Sequence, residues 1–462
     1  MTPSHRRSSV LHFIAYFCIL LLLGVFVRDL AGQPALSSTI HTFQEAIYLG
    51  DPRYFASGAL DVFRNGWFTP ENQWLINLWP PGFMLLEASI LGILGEQAPL
   101  IAVLLIMSAL LQAFWMTVLH HLLRPLIPAL AASFLPLLPF AFPVTRQFLL
   151  QPTGLVLGEA FALGCFMAAV LLVILSARAG RLWVAIAAGF FLGLSAYFRS
   201  QYGTMVTMYT LGALPIALWL GWRLRRLPQD ASRRAPMRLS LKTLLLVVVA
   251  AHATMLPWRV YVKMELGRTS WVATQQLVAQ NGLTSSEDLL KAGAGWIVRG
   301  GANVACLVAP EYCGQKDPAL YYRAFLEHPF EWTYRKAILL DDYWFAALSD
   351  WTEPTSPPKL SDWIANILLL VVMMAILPLL WLIRREREAV LHVWILGSFF
   401  GCFAGVFTLV HLETRYFYLI KVFVVVLTTL LAAAAWYRRR SEALVDDPEA
   451  LSVQSERKTA IG

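Results

Sequence analysis

Apolar runs close to 20 residues long recur along most of the chain, separated by short polar breaks. About 20 residues of helix are needed to cross the hydrocarbon core of a bilayer. The first run, Val10 to Val27, follows His5-Arg6-Arg7 after two serines. Further spans are predicted near 98–120, 126–143, 154–177, 182–198, 202–222, 240–257, 363–383, 389–410 and 417–437. The pattern therefore predicts an all-α membrane protein, a polytopic bundle of about ten transmembrane helices. Two long segments interrupt it, 28–97 and 258–362. In the first, Pro52 to Asn65 reads as a short helix. Met84 to Leu94 is apolar but too short to span, so an interfacial helix is expected there. The second carries amphipathic, helix-like stretches at Ser286 to Lys291 and Tyr321 to Lys336 and is too long for a mere connector. After Arg440 the chain turns polar, and residues 441–462 are expected to be disordered.

Composition removes whole classes of function. Of 462 residues, 58% are hydrophobic and 14% charged, against about 45–50% and about 25% in an average soluble protein. A soluble fold would lack the polar surface to cover itself. Soluble enzyme, nucleic-acid binder and secreted disulfide scaffold are all set aside. The net charge of +8 matters through its placement. With the first span starting in the cytoplasm and both termini inside, 20 of the 37 Lys and Arg fall in cytoplasmic segments. Ten lie between Trp258 and Asp362, in a segment long enough to be exempt from the positive-inside bias. Only Arg28, Arg53, Arg64, Arg146, Arg199, Arg415 and Lys421 remain outside in short segments. A cleaved signal peptide would begin the same way, but no small-x-small cleavage site follows the first run. No GxxxxGK[ST] loop is present, so ATP-driven transport is unsupported.

Cys18, Cys165 and Cys402 sit in apolar spans as small buried hydrophobes. Cys306 and Cys313 share the second outer segment, where a local bridge and two thiols are both open readings.

The scarce charges stranded at the outer face carry the candidate chemistry. Asp51 begins the Pro52–Asn65 helix, where an ordinary N-cap explains a carboxylate equally well. Glu159 lies just inside a span near the outer face, where an ionisable group is expensive and by default functional. Packing against a neighbouring helix is the plainer alternative. Arg146, Arg199 and Arg415 all sit at span ends, either snorkelling to the interface or offering planar forks to phosphate oxygens. His411 and Glu413 form an HxE pair, but two ligands are not a metal site. No dedicated metal site is readable. His120-His121 lie at the cytoplasmic end of a span, His252 reads as a buried helix contact or a residue reaching the active cavity, and Asp341-Asp342 as a loop pair. Trp67, Trp74 and Trp79 fit an interfacial belt or a stacking platform for a sugar.

The first outer segment reads Asp51, Tyr54, Ala59-Leu60, Gly66, then Trp79-Pro80-Pro81-Gly82. This order resembles the first periplasmic loop of GT-C glycosyltransferases that use polyprenyl-phosphate sugars, in particular bacterial relatives of protein O-mannosyltransferases and of the lipid A aminoarabinose transferase. Fainter echoes follow in order: Arg146-Gln147, Glu159, Phe198-Arg199-Ser200-Gln201, Leu256-Pro257-Trp258-Arg259 and Glu413-Thr414-Arg415-Tyr416. The specific motif covers only about residues 50–82. Asp51 stands alone before Pro52 where many relatives carry a paired Asp-Glu. The Leu256–Arg259 element lacks the Asn that often follows.

The resemblance implies a GT-C-type bundle with two large extracytoplasmic segments, seated in a bacterial inner membrane with its active site facing the periplasm or exterior. Asp51 would be the catalytic base. Arg53, Tyr54, Arg146, Glu159, Arg199, Arg259, Glu413, Arg415 and Tyr416 would contact substrate, with Arg199 and Arg415 on the donor phosphate and Arg146 or Arg259 as alternates. The implied partners are a polyprenyl-phosphate-linked sugar, a glycan, lipid or protein acceptor, and membrane lipid, with no nucleic acid. A catalytic membrane module at 1–257, an outer segment at 258–362 and C-terminal spans at 363–440 follow. The rivals are a secondary transporter or lipid-linked sugar flippase, which predicts broken helices paired between two halves, and a non-enzymatic envelope scaffold.

Overall fold

A computed structural model of the chain describes residues 3–26, 51–226, 231–272, 274–347, 350, 354–384, 386, 388–410 and 412–446. It is helical throughout, with no strand among the described residues. The first part holds α1 (Pro3–Phe26), α2 (Asp51–Asn65), α3 (Gln73–Leu78), α4 (Gly82–Leu94), α5 (Leu100–Leu123), α6 (Ala129–Phe134), α7 (Pro143–Leu150) and α8 (Pro152–Leu155). Long helices follow: α9 (Glu159–Ala179), α10 (Leu182–Phe198), α11 (Ser200–Arg226) and α12 (Ala231–Glu265). Seven short helices come next: α13 (Thr274–Gly282), α14 (Ser286–Lys291), α15 (Gly295–Arg299), α16 (Val304–Val308), α17 (Pro318–Glu327), α18 (Pro329–Ala337) and α19 (Leu340–Trp344). The chain closes with α20 (Leu360–Met374), α21 (Ile376–Ile383), α22 (Ala389–Leu409) and α23 (Thr414–Asp446).

Among the described residues eight helical segments are long and apolar enough to cross a membrane: Ser8–Phe26, Leu100–Leu123, Glu159–Ala179, Ser200–Arg226, Arg234–Glu265, Leu360–Ile383, Ala389–Leu409 and Thr414–Arg440. These coincide with eight of the ten expected spans. The other two differ. The run expected at 126–143 is a bent pair, Ala129–Ala141 and Pro143–Leu150, turned by 85°. Its cause is local: Pro136, Pro139 and Pro143 each remove a backbone donor, so the middle tightens to a 3₁₀ turn and the helix restarts. The run at 182–198 forms α10, a 17-residue apolar helix shorter than the eight.

Helices α9 and α23 form the centre, buried along most of their length. In lipid, apolar burial gives helices little preference for each other, so close packing must hold the bundle. Small residues supply it where α10 meets α12. A methyl group on Gly189 would stand 2.4 Å from the Val247 carbonyl oxygen, and one on Gly193 would stand 2.6 Å from that of Ala251. Aromatic rings fill the space around α9, with Phe399 stacked on Phe423 at 3.7 Å and Phe166 within 6 Å of both.

The two long segments lie at the same end of the bundle. Trp67 donates to the Tyr261 hydroxyl at 2.8 Å, and Arg268 donates to the Ile76 carbonyl at 2.9 Å. The second segment has its own small core of Leu283, Val304, Val308, Tyr321 and Trp332. Cys306 and Cys313 are joined there as a disulfide, which resolves the two open readings. The expected stretch Tyr321–Lys336 is two helices, broken at His328 before Pro329. At the C-terminus α23 runs six residues past Arg440, because Ser441-Glu442-Ala443-Leu444 continues a helix into the polar region. Residues 447–462 lie outside the described part.

Candidate active site at the loop-bearing end

Helix α9 begins at Glu159 because Gly158 turns the chain there with φ +73°, a conformation that favours glycine. The Phe83 ring of α4 packs against Gly158, 2.9 Å from where a Cβ would stand. The first outer segment thus presses on the residue before the carboxylate. Twenty residues later the chain reverses, and α10 returns to the same level. Arg199, extended between α10 and α11, closes that hairpin onto its start. Its Nη2 lies 2.7 Å from Glu159 Oε1, and both residues are buried.

A second ion pair sits where α23 begins. Glu413, 1% exposed, pairs with Arg415 and accepts a hydrogen bond from the Tyr416 hydroxyl at 3.0 Å. The two pairs belong to one cluster, since Arg199 and Arg415 both act electrostatically on the Tyr416 hydroxyl. Each carboxylate faces a guanidinium, so the charges of the two pairs balance. An unbalanced buried charge would cost several kcal/mol. A guanidinium carries five N–H donors and a carboxylate engages two at most, so Arg199 keeps donors for a further anionic oxygen.

The second long segment fixes the approach to this cluster. A helix leaves its last four carbonyls without helical partners. At the end of α22, three consecutive carbonyls are met from that segment. Trp332 Nε1 donates to Thr408 O at 2.7 Å, the Tyr321 hydroxyl to Leu409 O, and Lys336 Nζ to Val410 O at 2.9 Å. Leu412 N then donates to Gly300 O at 2.9 Å, carrying the chain to Glu413. Burial pulls the Lys336 ammonium down to about 7.

The first segment supplies aromatic rings. Tyr54 packs edge-on to Trp74 at 5.2 Å and stacks with Trp79 at 6.0 Å, its ring half-exposed. Trp79-Pro80-Pro81-Gly82 leads into α4, and Gly82 is needed for contact: a Cβ there would stand 2.5 Å from the Tyr197 carbonyl oxygen. Asp61 closes the turn after α2, accepting from Thr69 N at 2.6 Å and Asn65 Nδ2 at 2.8 Å. Burial alone would raise its carboxyl, but the bonds from Thr69 and Asn65 outweigh burial and hold it low.

Of the expected site residues, Glu159, Arg199, Glu413, Arg415 and Tyr416 converge. Arg146 turns to the Phe140 and Ala141 carbonyls at 2.9 and 3.0 Å, holding the corner of the bent pair. Arg259 contacts His252 Nδ1 at 2.8 Å. Arginine only donates, so Nδ1 accepts, and the protonated Nε2 faces Thr210 Oγ1 at 2.9 Å. Arg53 is exposed on α2. Asp51 is the first residue of α2, while its side chain, Arg28 and His411 lie outside the described part. Among the described residues no group of three or more His, Cys, Asp or Glu could hold a metal ion. His120 is buried, contacting Ala132 O at 3.1 Å and stacked on His12 at 3.8 Å.

A buried acid was missed by sequence reasoning. Glu87 of α4 is 2% exposed, and its Oε2 has no hydrogen-bond partner among the described residues. Burial pushes its carboxyl well above the usual range. The signal was a lone acid in an apolar 13-residue helix.

No protein-family model matches the chain, and no curated protein matches it.

Proposed function

We propose that this protein is a membrane glycosyltransferase of GT-C type, with ten crossings and its site on the extracytoplasmic side. It transfers a sugar from a polyprenyl phosphate to an acceptor hydroxyl. The observation that carries the reading is the buried cluster of Glu159, Arg199, Glu413, Arg415 and Tyr416 under two long segments. Guanidinium groups at the membrane boundary suit the phosphate of a lipid-linked donor, whose tail stays in the bilayer. As the bond between sugar C1 and the phosphate oxygen breaks, its electron pair goes to the phosphate. Arg199 and Arg415 stabilise the charge that builds there. The acceptor oxygen attacks C1, and its proton passes to Asp51, within the general-base role that the resemblance implies. Tyr54, Trp74 and Trp79 offer faces on which a sugar ring stacks. The Cys306–Cys313 disulfide supports an oxidising compartment for the long segments.

A flippase or transporter is the second reading, favoured by the 85° bend between Ala141 and Pro143. That fold class pairs its broken helices, and the bent pair has no counterpart among the described residues. Proteoliposomes holding the full chain and a radiolabelled polyprenyl-phosphate sugar separate the two readings. Label moving into an added membrane-extract acceptor supports the transferase. Label crossing the bilayer while it stays on the lipid supports transport and overturns this proposal.

A further inference from the structure

Every fourth residue from Tyr322 to Ile338 carries a large apolar side chain: Tyr322, Leu326, Phe330, Tyr334 and Ile338. All five are exposed, Phe330 at 90% and Leu326 at 74%. They run along α17 and α18, the helices that close over the end of α22. Two residues turn a helix by about 200°, so Phe330 and Tyr334 of α18 lie opposite Trp332 and Lys336. The Trp332 and Lys336 face is engaged by the Thr408 and Val410 carbonyls. The opposite face is exposed and apolar. Beside it Arg323 pairs with Glu327 and Arg335 with Glu331, each at 2.8 Å. The charges of those two pairs balance, so what the stripe offers a partner is apolar contact.

Three contacts set the height of this stripe. Tyr321 of α17, and Trp332 and Lys336 of α18, meet Leu409, Thr408 and Val410 at the end of a membrane-length helix. Contacts so far apart in sequence, all at one level, lay the two helices along the membrane boundary. Just past Ile338, Leu339 and Leu340 pack on the core of the bundle. The Trp344 carbonyl then accepts from Lys421 at 3.0 Å, and Lys421 stands about 10 Å into α23 from Thr414. The chain therefore drops into the bundle directly after the stripe. The lipid-facing side of α22 leads to the same place. Val393, Gly397, Gly401 and Ala404 are exposed along one face, and Thr408, which Trp332 touches, continues it. An amphipathic helix at this level lies in the interface with its apolar face at the boundary of headgroups and acyl chains, where tyrosines are enriched. We propose that the stripe from Tyr322 to Ile338 is a membrane-binding surface, seated in the leaflet at the loop-bearing end. Lipid contact there holds the cap on α22, beyond which the chain reaches Glu413. This contact needs a bilayer and no sugar donor.

Fluorescence quenching on the full chain in phosphatidylcholine vesicles tests this surface. Phe330→Cys and Tyr334→Cys, each combined with Cys18→Ser, carry a thiol-reactive dye. Cys165 and Cys402 are buried and stay unlabelled. Both labelled positions are exposed, so the docked face is left intact. Doxyl-labelled phosphatidylcholine is expected to remove most of the fluorescence at both sites, and aqueous iodide little of it. Adding phosphatidylglycerol should leave this unchanged, because the contact is apolar. Strong quenching by iodide with little by the lipid quencher places the stripe in water and overturns the proposal. Quenching by neither places a protein, such as a second copy of the chain, on the stripe and also overturns it. Lipid quenching that appears only with phosphatidylglycerol overturns the apolar contact. A second measurement needs no dye: Phe330→Ser with Tyr334→Ser should speed proteolysis within residues 318–338 in vesicles. An unchanged rate overturns the proposal.

Discussion

Arg199 and Glu159 meet at 2.7 Å although 40 residues of helical hairpin separate them. Both are buried, so each charge is tolerated because the other is present. Removing one partner leaves the other uncompensated and should cost about 3–5 kcal/mol. Arg199→Leu or Glu159→Leu alone should sharply lower the thermal midpoint in detergent. The double variant Arg199→Leu with Glu159→Leu should recover much of that loss yet remain inactive in sugar transfer. A double variant as unstable as the sum of the singles would show that the pair is not coupled.

Gly82 ends the Trp-Pro-Pro-Gly element because the backbone of Tyr197 occupies the place of a side chain, 2.5 Å from a Cβ. Gly82→Ala should therefore destabilise the protein by about 1–3 kcal/mol through overpacking. Gly92, in the same helix, has nothing within 4 Å of its Cβ position. Gly92→Ala should be neutral or stabilise by up to about 1 kcal/mol. Equal thermal shifts for the two variants would contradict the role of close packing at Gly82.

The legible and illegible parts of this molecule divide along physical lines. Eight spans were legible because a bilayer core demands a run of about 20 apolar residues, a length that helices of soluble domains seldom keep apolar on every face. Arg199, Glu159 and Arg415 were legible because a charge at a span end stands out in an apolar chain. The bend at Ala141–Pro143 was masked by a continuous apolar run, though its three prolines were the available sign. Glu87 was overlooked because α4 was judged by its length and apolarity, not by its one acid. Lys336 was hidden differently. In the sequence it belongs to the polar face of an amphipathic stretch, and only the tertiary docking onto Val410 buries it.

Lys336 gives the docked outer segment a pH dependence. Its ammonium is drawn from the usual 10.5 down to about 7 by burial. Below about pH 7 it is charged both docked and undocked, and the docked state bears the whole burial penalty. Between about 7 and 10.5 the docked form sheds its proton while the undocked form keeps it. Docking should therefore strengthen as pH rises through that window, by at most about 1.4 kcal/mol per unit. Limited proteolysis of the second segment at pH 6 to 9 checks this. Protection of the wild type relative to Lys336→Met should increase with pH, and parallel curves would contradict it.

The Cys306–Cys313 bridge closes a short loop, its ends seven positions apart in sequence. Loop-closure entropy for so small a ring amounts to about 2–3 kcal/mol. Reduction, or Cys306→Ser with Cys313→Ser, should speed proteolysis within residues 274–347 and leave the membrane helices protected. Unchanged cleavage in that segment would show that the small core of Tyr321 and Trp332 holds it unaided.

At the centre of the proposed chemistry, Asp51 takes the acceptor proton at a site whose arginines hold the donor phosphate. Turnover of a labelled polyprenyl-phosphate sugar by purified wild type and Asp51→Asn tests this most directly. Asparagine keeps the size and can cap a helix, but it cannot accept the proton. The expected result is a fall in kcat of at least about 100-fold, with donor binding and thermal midpoint near those of the wild type. Transfer by Asp51→Asn at the wild-type rate would contradict it.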